Sequence, residues 1–325
     1  MATRRTALTA LAGAALAAAT RAGAQPRLLR VAWLFYQTAG SSGVFLDALR
    51  RGFRALGYVE GTSLVIDPYW ADESPERLRE VVATMIASNP HVIVSMGFAV
   101  NGVYAARPTQ PVVFGFSGDP VEAGFVQSFA NPGGNMTGIS FLTVELVGKR
   151  IEMMKAVLPN LRRIAIVAAP QHPGDKVERR ASEAAATALG LATTYFEARS
   201  ATELATALAA LEKSGCDAVV LFPVQYVVSE APRIAAWAVR TRIPTVSGWA
   251  QFAEGGNLMS YGPSLTDSVS RLAYFADRIA KGARPADIPV EQPTRVEFVI
   301  NEKAAKALGI TVPQAVVLRA DRVIT

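Results

Sequence analysis

Hydrophobic positions along this chain fall into two alternating kinds of run. Short β-branched stretches such as Ile164–Val167 and Val219–Phe222 are apolar throughout. The longer stretches between them repeat their apolar residues at three- and four-residue spacing, the period of a helix with one buried face. The pattern predicts strands at Leu29–Phe35, Ser63–Tyr69, Val92–Ser95, Val112–Phe116 and Met136–Ser140, with helices at Val44–Leu56, Pro75–Ser88 and Ala99–Ala106 between them. A second series follows: helix Val144–Leu158, strand Arg163–Ala168, helix Lys176–Leu189, strand Thr193–Glu197, helix Ala201–Ser214, strand Ala218–Phe222, helix Glu230–Arg240 and strand Thr245–Ser247. Ser74-Pro75 marks a helix start, and Gly57, Gly190, Gly215, Gly282 and Gly309 stand where helices should stop in a left-handed residue.

Strands that are apolar on both faces suit a parallel sheet covered by helices on each side. Two such series predict two doubly wound, Rossmann-like α/β lobes, each presenting the C-terminal ends of its strands to a shared cleft. Asn257–Gly262 is expected to carry the chain back to the first lobe, where Thr266–Lys281 forms a helix. Pro285–Pro293 then leads to strand Arg295–Asn301 and a third crossing, which would make a multi-strand hinge. On this reading residues 25–138 with 263–294 form an N-terminal lobe, and residues 139–262 with 295–325 a C-terminal lobe.

The first 24 residues read differently. Arg4 and Arg5 precede an apolar run from Ala7 to Thr20, and Ala22-Gly23-Ala24 supplies the small-x-small pattern of a signal-peptide cleavage site, with Gln25 as the expected mature N-terminus. The run is shorter than the roughly 20 apolar residues of a membrane-spanning helix. Thr3-Arg4-Arg5 with Leu8 matches a twin-arginine signal in part, Ala7 standing where a large apolar residue is expected, so the export route stays open. No cysteine adjoins the cleavage site to carry a lipid. Removing Arg4, Arg5 and Arg21 lowers the formal charge from +6 to +3, and no basic cluster interleaves with aromatics, so nucleic acid is not an expected partner. The single cysteine, Cys216, excludes an internal disulfide and reads as buried at the edge of a core strand.

Strand ends supply the candidate binding residues. Phe35, Tyr36 and Gln37 follow the first strand, Tyr226 follows Phe222-Pro223, and Trp249 follows Ser247-Gly248. Such rings either sandwich a planar ligand or pack as core. Ser95, Gly97 and Phe98 end the third strand before a helix whose first N–H groups suit a carboxylate, though an ordinary helix cap explains them equally. Ser117 and Asp119 follow the fourth strand. Asp119 is a candidate for a ligand ammonium or for an Asx turn before Pro120, and Ser117 is the better contact. Gln171, or less readily His172, is placed to close over the ligand from the second lobe.

Gly57-Tyr58-Val59-Glu60-Gly61, Gly118-Asp119-Pro120-Val121 and Asn131-Pro132-Gly133-Gly134-Asn135-Met136-Thr137-Gly138-Ile139-Ser140 occur in that order. Ser260-Tyr261-Gly262, Gln292-Pro293-Thr294, Ile300-Asn301 and Ala304-Ala305-Lys306-Ala307-Leu308-Gly309 follow. This collinear set resembles the TrpX-type substrate-binding proteins of ABC transporters along essentially the whole chain. The resemblance implies a type I periplasmic-binding-protein fold, a hinged receptor that delivers a small solute to an inner-membrane permease. One departure is Ser95-Met96-Gly97-Phe98-Ala99, where relatives often read Gly-Thr-Pro; a bulky Phe98 there is expected to reshape the pocket.

The catalytic inventory points away from an enzyme. His91 and His172 are the two histidines, Gly115-Phe116-Ser117-Gly118 falls short of a nucleophile elbow, and no cluster has metal-ligand spacing. Asn131–Asn135 is neither a phosphate loop nor a dinucleotide fingerprint. The expectation is therefore a monomeric periplasmic receptor without cofactor or metal, capturing an amino acid or related carboxylate with an aromatic or branched apolar side chain. A periplasmic ligand sensor for a membrane signalling partner is the alternative.

Overall fold

A computed structural model describes residues 28–141, 143–170 and 174–325; the leader, Gln171 and His172 lie outside the described residues. Among the described residues the strands form two sheets. The first contains β1 (Leu29–Phe35), β2 (Leu64–Trp70), β3 (Val92–Met96), β4 (Val112–Phe116) and β5 (Met136–Ser140), in the order β2-β1-β3-β4-β5 with every pairing parallel. The second holds β6 (Arg163–Ala168), β7 (Ala192–Glu197), β8 (Ala218–Leu221), β9 (Thr245–Ser247), β10 (Met259–Pro263), β11 (Val296–Asn301) and β12 (Arg322–Ile324). Its order is β12-β11-β10-β9-β8-β6-β7, so β7-β6-β8-β9-β10 repeats the winding of the first sheet. In both, the strand order reverses where the first and third strands of the series lie side by side, β1 with β3 and β6 with β8.

Helices cover both faces because the strands are apolar on both. In the first lobe α1 (Ala39–Ala55), α2 (Pro75–Ala87) and α3 (Ala99–Ala106) connect the strands; in the second α4 (Thr143–Val157), α5 (Asp175–Ala188), α6 (Ala201–Leu211), α7 (Gln225–Ser229), α8 (Ala231–Thr241) and α9 (Ala250–Glu254) do so. The helix α1 begins earlier than the periodicity predicts, because Gly40 and Gly43 interrupt the apolar pattern of its first turns. Neither α7 nor α9 has enough turns to show a period. Each helix-ending glycine lies at positive φ, and Ser74 caps α2 by accepting the Arg77 N–H. The first core divides over the two faces of its sheet, with fully buried Trp33, Phe45 and Phe53 on one side and Leu34, Phe114 and Phe116 on the other. The second forms a single cluster that includes Cys216.

Among the described residues three segments join the lobes. The chain leaves the first lobe after β5, returns after β10 into α10 (Leu265–Ala280), which packs on α1, and crosses once more between Glu291 and β11. A 3-10 turn at Pro285–Asp287 precedes the last crossing. The segments lie side by side: Ile139 bridges Glu291, and β10 pairs antiparallel with β11. Glu291 donates its N–H to the Gly138 carbonyl at 2.9 Å, and its carboxylate takes a two-pronged bond from Arg271 of α10 at 2.9 Å on each oxygen. Gly262 runs so close to Gly248 that a Cβ would overlap the Gly248 carbonyl oxygen. Here a side chain is excluded by the opposing backbone rather than by φ. The short helices α11 (Glu302–Leu308) and α12 (Gln314–Val317) complete the second lobe, with Asn301 capping α11 through the Ala304 N–H.

The second lobe buries a charged pair. Arg150 of α4 and Glu178 of α5 are both fully buried, with Arg150 Nη1 3.8 Å from Glu178 Oε1. Burial lowers the Arg150 pKa to about 10, the nearby Glu178 carboxylate opposing that shift. Its Nε–H donates to the Tyr261 carbonyl in β10 at 2.9 Å, tying the helix to a hinge strand.

Candidate functional site

A cavity of about 150 Å³ lies between the lobes, where both sheets reverse their strand order. Open α/β sheets bind ligands at this position, because the connections on either side diverge and leave a crevice. From the first lobe Phe35, Tyr36 and Gln37 after β1, Met96, Gly97 and Phe98 at the end of β3, and Ser117 after β4 reach the cavity. The second lobe contributes Arg199 and Ser200 after β7, the segment Pro223–Tyr226 after β8, and Trp249 after β9. Both lobes therefore wall one space.

The lining separates by chemistry and depth. Phe35, Met96, Phe141, Trp249 and Leu265 are buried, whereas Glu73 of the first lobe and Arg199 of the second are exposed. The buried lining is thus mainly apolar and aromatic, with the Ser117 hydroxyl among it, and the exposed lining carries opposite charges from opposite lobes. Trp249 belongs to the second lobe by sequence, yet it is a member of the first lobe's buried cluster with Phe35, Phe141 and Leu265. Its Nε1–H is buried without a hydrogen-bond acceptor among the described residues.

Local bonds hold the polar residues. The Tyr36 hydroxyl donates to the Glu73 carbonyl at 2.9 Å, and the Glu73 N–H donates to the Tyr36 carbonyl at 2.8 Å. Burial first, then the charges of Glu73 and Glu76, raises the Tyr36 pKa, so the phenol remains a donor. Ser200 caps α6 by accepting the Glu203 N–H at 3.2 Å. Arg199 pairs with Glu197 at 2.9 Å, and its own N–H donates to the Glu203 carboxylate at 3.0 Å. The Tyr226 hydroxyl donates to the Ala198 carbonyl, and burial again pushes this phenol's pKa upward.

Of the candidates read from the strand ends, Phe35, Tyr36, Gln37, Gly97, Phe98, Ser117, Tyr226 and Trp249 come together here. Ser95 does not line the cavity: it is fully buried one residue below Met96. Asp119 is spent on a turn, its Oδ1 accepting the Val121 N–H at 2.7 Å and the Glu122 N–H at 3.2 Å. The carboxylate site expected at the start of α3 is also reduced, because the Val100 and Asn101 N–H groups donate to the Gly97 and Phe98 carbonyls. Gln171 lies outside the described residues. His91 sits at the opposite end of the first sheet, its Nδ1 accepting the Arg30 N–H at 2.9 Å.

Sequence reasoning missed Met96, Phe141, Leu265 and the Pro223–Gln225 segment among the walls, and Glu73, Arg199 and Ser200 among the polar lining. Phe141 follows β5 directly, so the strand-end rule applied to the fifth strand finds it. Ser200 followed by Glu203 is a helix-start signal immediately after β7. Glu73 gives no such signal; it depends on a turn in which Asp72 and Glu73 both take positive φ, 50° and 60°.

A two-lobed α/β protein with three crossings and a cavity walled by both lobes has the type I periplasmic-binding fold, which its structural neighbours, a LacI family regulator and an ABC transporter solute binding protein among them, share. The family model described as ABC transporter substrate binding protein matches residues 42–324, and the chain belongs to that family. It is 24% identical over 271 residues to the tyrosine-binding protein of Clostridioides difficile (strain R20291), covering 82% of this chain and 77% of that one. A solved structure of a conserved domain protein from Vibrio cholerae O1 biovar El Tor is 26% identical, covers 91% of this chain and 100% of its own, and superposes with a TM-score of 0.85. The ABC domain in complex with L-Trp from Streptococcus pneumoniae is 24% identical over 91% of this chain and 100% of its own, with a TM-score of 0.83. The family consists of substrate-binding proteins, not enzymes, that take small molecules and work with ABC permeases. No helix among the described residues is long and apolar enough to cross a membrane.

Proposed function

We propose that this chain is the periplasmic receptor of an ABC importer and captures an amino acid or related carboxylate with an aromatic side chain. The observation that carries this reading is the division of the cavity lining between buried aromatic walls and the exposed charges of Glu73 and Arg199. A ring removed from water gains roughly 25 cal/mol per Å² of buried apolar surface. The exposed charges suit a zwitterion's ammonium and carboxylate. Because the ligand touches both lobes, it stabilises the closed form by its higher affinity for that form, and the closed form is the one presented to an inner-membrane permease. The tyrosine- and tryptophan-associated relatives support an aromatic solute. Residues 1–24 act as a cleaved export leader in this scheme, leaving a soluble monomer.

The test is titration calorimetry on residues 25–325, refolded from denaturant to strip carried ligand, against L-tyrosine, L-phenylalanine, L-tryptophan, L-glutamate and D-ribose. Saturable binding of at least one aromatic amino acid, with no heat from ribose, is the expected result. Ser117→Ala should weaken that binding by about 1 kcal/mol, the scale of one hydrogen bond. Silence from all three aromatic amino acids in a cooperatively folded sample overturns the ligand class.

A further inference from the structure

We infer that Phe98, held in place by Tyr36, sets the size of the ring this cavity admits: one six-membered ring, not a fused pair. The inference rests on the cavity being the solute site and names which aromatic solutes it selects. An apolar cavity of about 150 Å³ holds benzene in another protein; this cavity has about that volume and must also take the ligand's polar groups beside Glu73 and Arg199. An indole brings three more ring atoms, so a wall must retreat to admit it.

The deep walls have nowhere to go. Phe35, Met96, Phe141, Leu265 and Trp249 are at most 5% exposed, and all belong to the first lobe's close-packed cluster. The remaining wall is the half-buried pair Tyr36 and Phe98. Their rings meet edge to face with centroids 4.8 Å apart, and both rest on the core cluster of the sheet's other face. Gly97 at φ +58° turns the chain so that Phe98 follows directly on the strand end.

Tyr36 makes this wall rigid. Its hydroxyl and its carbonyl both bond the backbone of Glu73, at 2.9 and 2.8 Å. Asp72 and Glu73 stand in the left-handed region that non-glycine residues avoid, and such a turn persists only where neighbours hold it. The Tyr36 bonds hold the turn, and the turn in exchange fixes the Tyr36 ring against Phe98. A wall locked in this way excludes the larger ring sterically.

The experiment measures dissociation constants of the protein for two probe pairs, L-phenylalanine with L-tryptophan and phenol with indole. It uses the unaltered chain, Phe98→Ala and Tyr36→Phe. The unaltered chain is expected to prefer the single ring at least tenfold within each pair. Phe98→Ala shifts that ratio at least tenfold towards the fused ring, and Tyr36→Phe, which loses only the hydroxyl, shifts it about threefold. If Phe98→Ala does not fold, Phe98→Leu keeps much of the packing and gives an intermediate shift. The ratio is the diagnostic quantity, since a merely structural role weakens both members of a pair alike. Equal affinity for both rings in the unaltered chain, or an unchanged ratio in the Phe98 variant, overturns the inference. Discrimination between phenol and indole with both amino acids silent leaves the size selection standing and removes the amino-acid reading instead. A folded protein that binds none of the four probes overturns the size selection as well.

Discussion

The two lobes wind their sheets in the same order yet hold their sides of the cleft by different means. In the first, Phe35, Phe98 and Phe141 are placed by neighbouring aromatic and aliphatic side chains, Trp249 joins the cluster from across the cleft, and the polar bonds are those of Tyr36 to the Glu73 backbone. The second relies on buried polar bonds, with Arg150 reaching the Tyr261 carbonyl beside a fully buried Glu178 and with Asn257 bonding Thr245, Ala231 and Phe252. Packing tolerates volume-conserving change, whereas a buried charge depends on its partner. The first lobe should therefore tolerate side-chain changes that conserve volume, and the second should not tolerate the loss of a single buried charged group.

The largest test of this contrast is Arg150→Met. It should destabilise the protein by about 3–5 kcal/mol, because Glu178 keeps its burial and loses the neighbouring guanidinium. Urea unfolding measures the loss, and hydrogen exchange should place it in β9 and β10. Adding Glu178→Leu should recover part of it. A loss below about 1 kcal/mol would mean that the pair adds little and that the lobes are held alike.

Gly262→Ala should cost about 1–3 kcal/mol, since the new methyl meets the Gly248 backbone carbonyl, which cannot rotate away. Thermal unfolding reads this, and closure should suffer too because both residues lie beside the hinge. Ser200→Ala should cost about 1 kcal/mol by leaving the Glu203 N–H without its cap. Urea midpoints would test it against Ser74→Ala, the matching cap in the first lobe. Equal losses would show that the lobes differ in their cores and not in their helix starts.

The smallest effect concerns pH. Burial, and after it the bond to Asp277, pushes the Tyr58 pKa up to about 12 in the first lobe; burial and the charge of Glu183 do the same for Tyr195 in the second. An unfolded tyrosine titrates near pH 10. The folded state therefore holds these protons longer, and their stabilisation is complete below about pH 10 and lost as pH rises through about 12. Urea midpoints across that window should fall, and Tyr58→Phe should flatten part of the slope. An unchanged slope assigns the alkaline loss to the second lobe.

Much of the fold was legible in the residues. Runs such as Ile164–Val167 fit only a strand covered on both faces, and Leu29–Phe35, Val112–Phe116 and Met136–Ser140 emerge with the boundaries that periodicity predicts. The cleft was legible where a residue follows a strand end within one or two positions, as Tyr36, Gly97 and Trp249 do, because a parallel sheet sends those positions to one edge. Ser95 and Asp119 mark the limit. Each has the chemistry of a ligand contact, but Ser95 is fully buried away from the cavity lining and Asp119 bonds its own turn. Local chemistry does not show which of two partners a polar group takes.

By itself the sequence determined the two α/β series, their strand ends and the family to which the chain belongs, because alternation, caps and ordered motifs are local properties. Only the tertiary structure decided that Trp249 joins the opposite lobe's core, that Arg150 meets Glu178, and that Glu73 and Arg199 face one cavity from two lobes. Those contacts join residues far apart in the chain, and closing such loops is rewarded only when both sheets are packed and aligned. No run of neighbouring residues records that alignment.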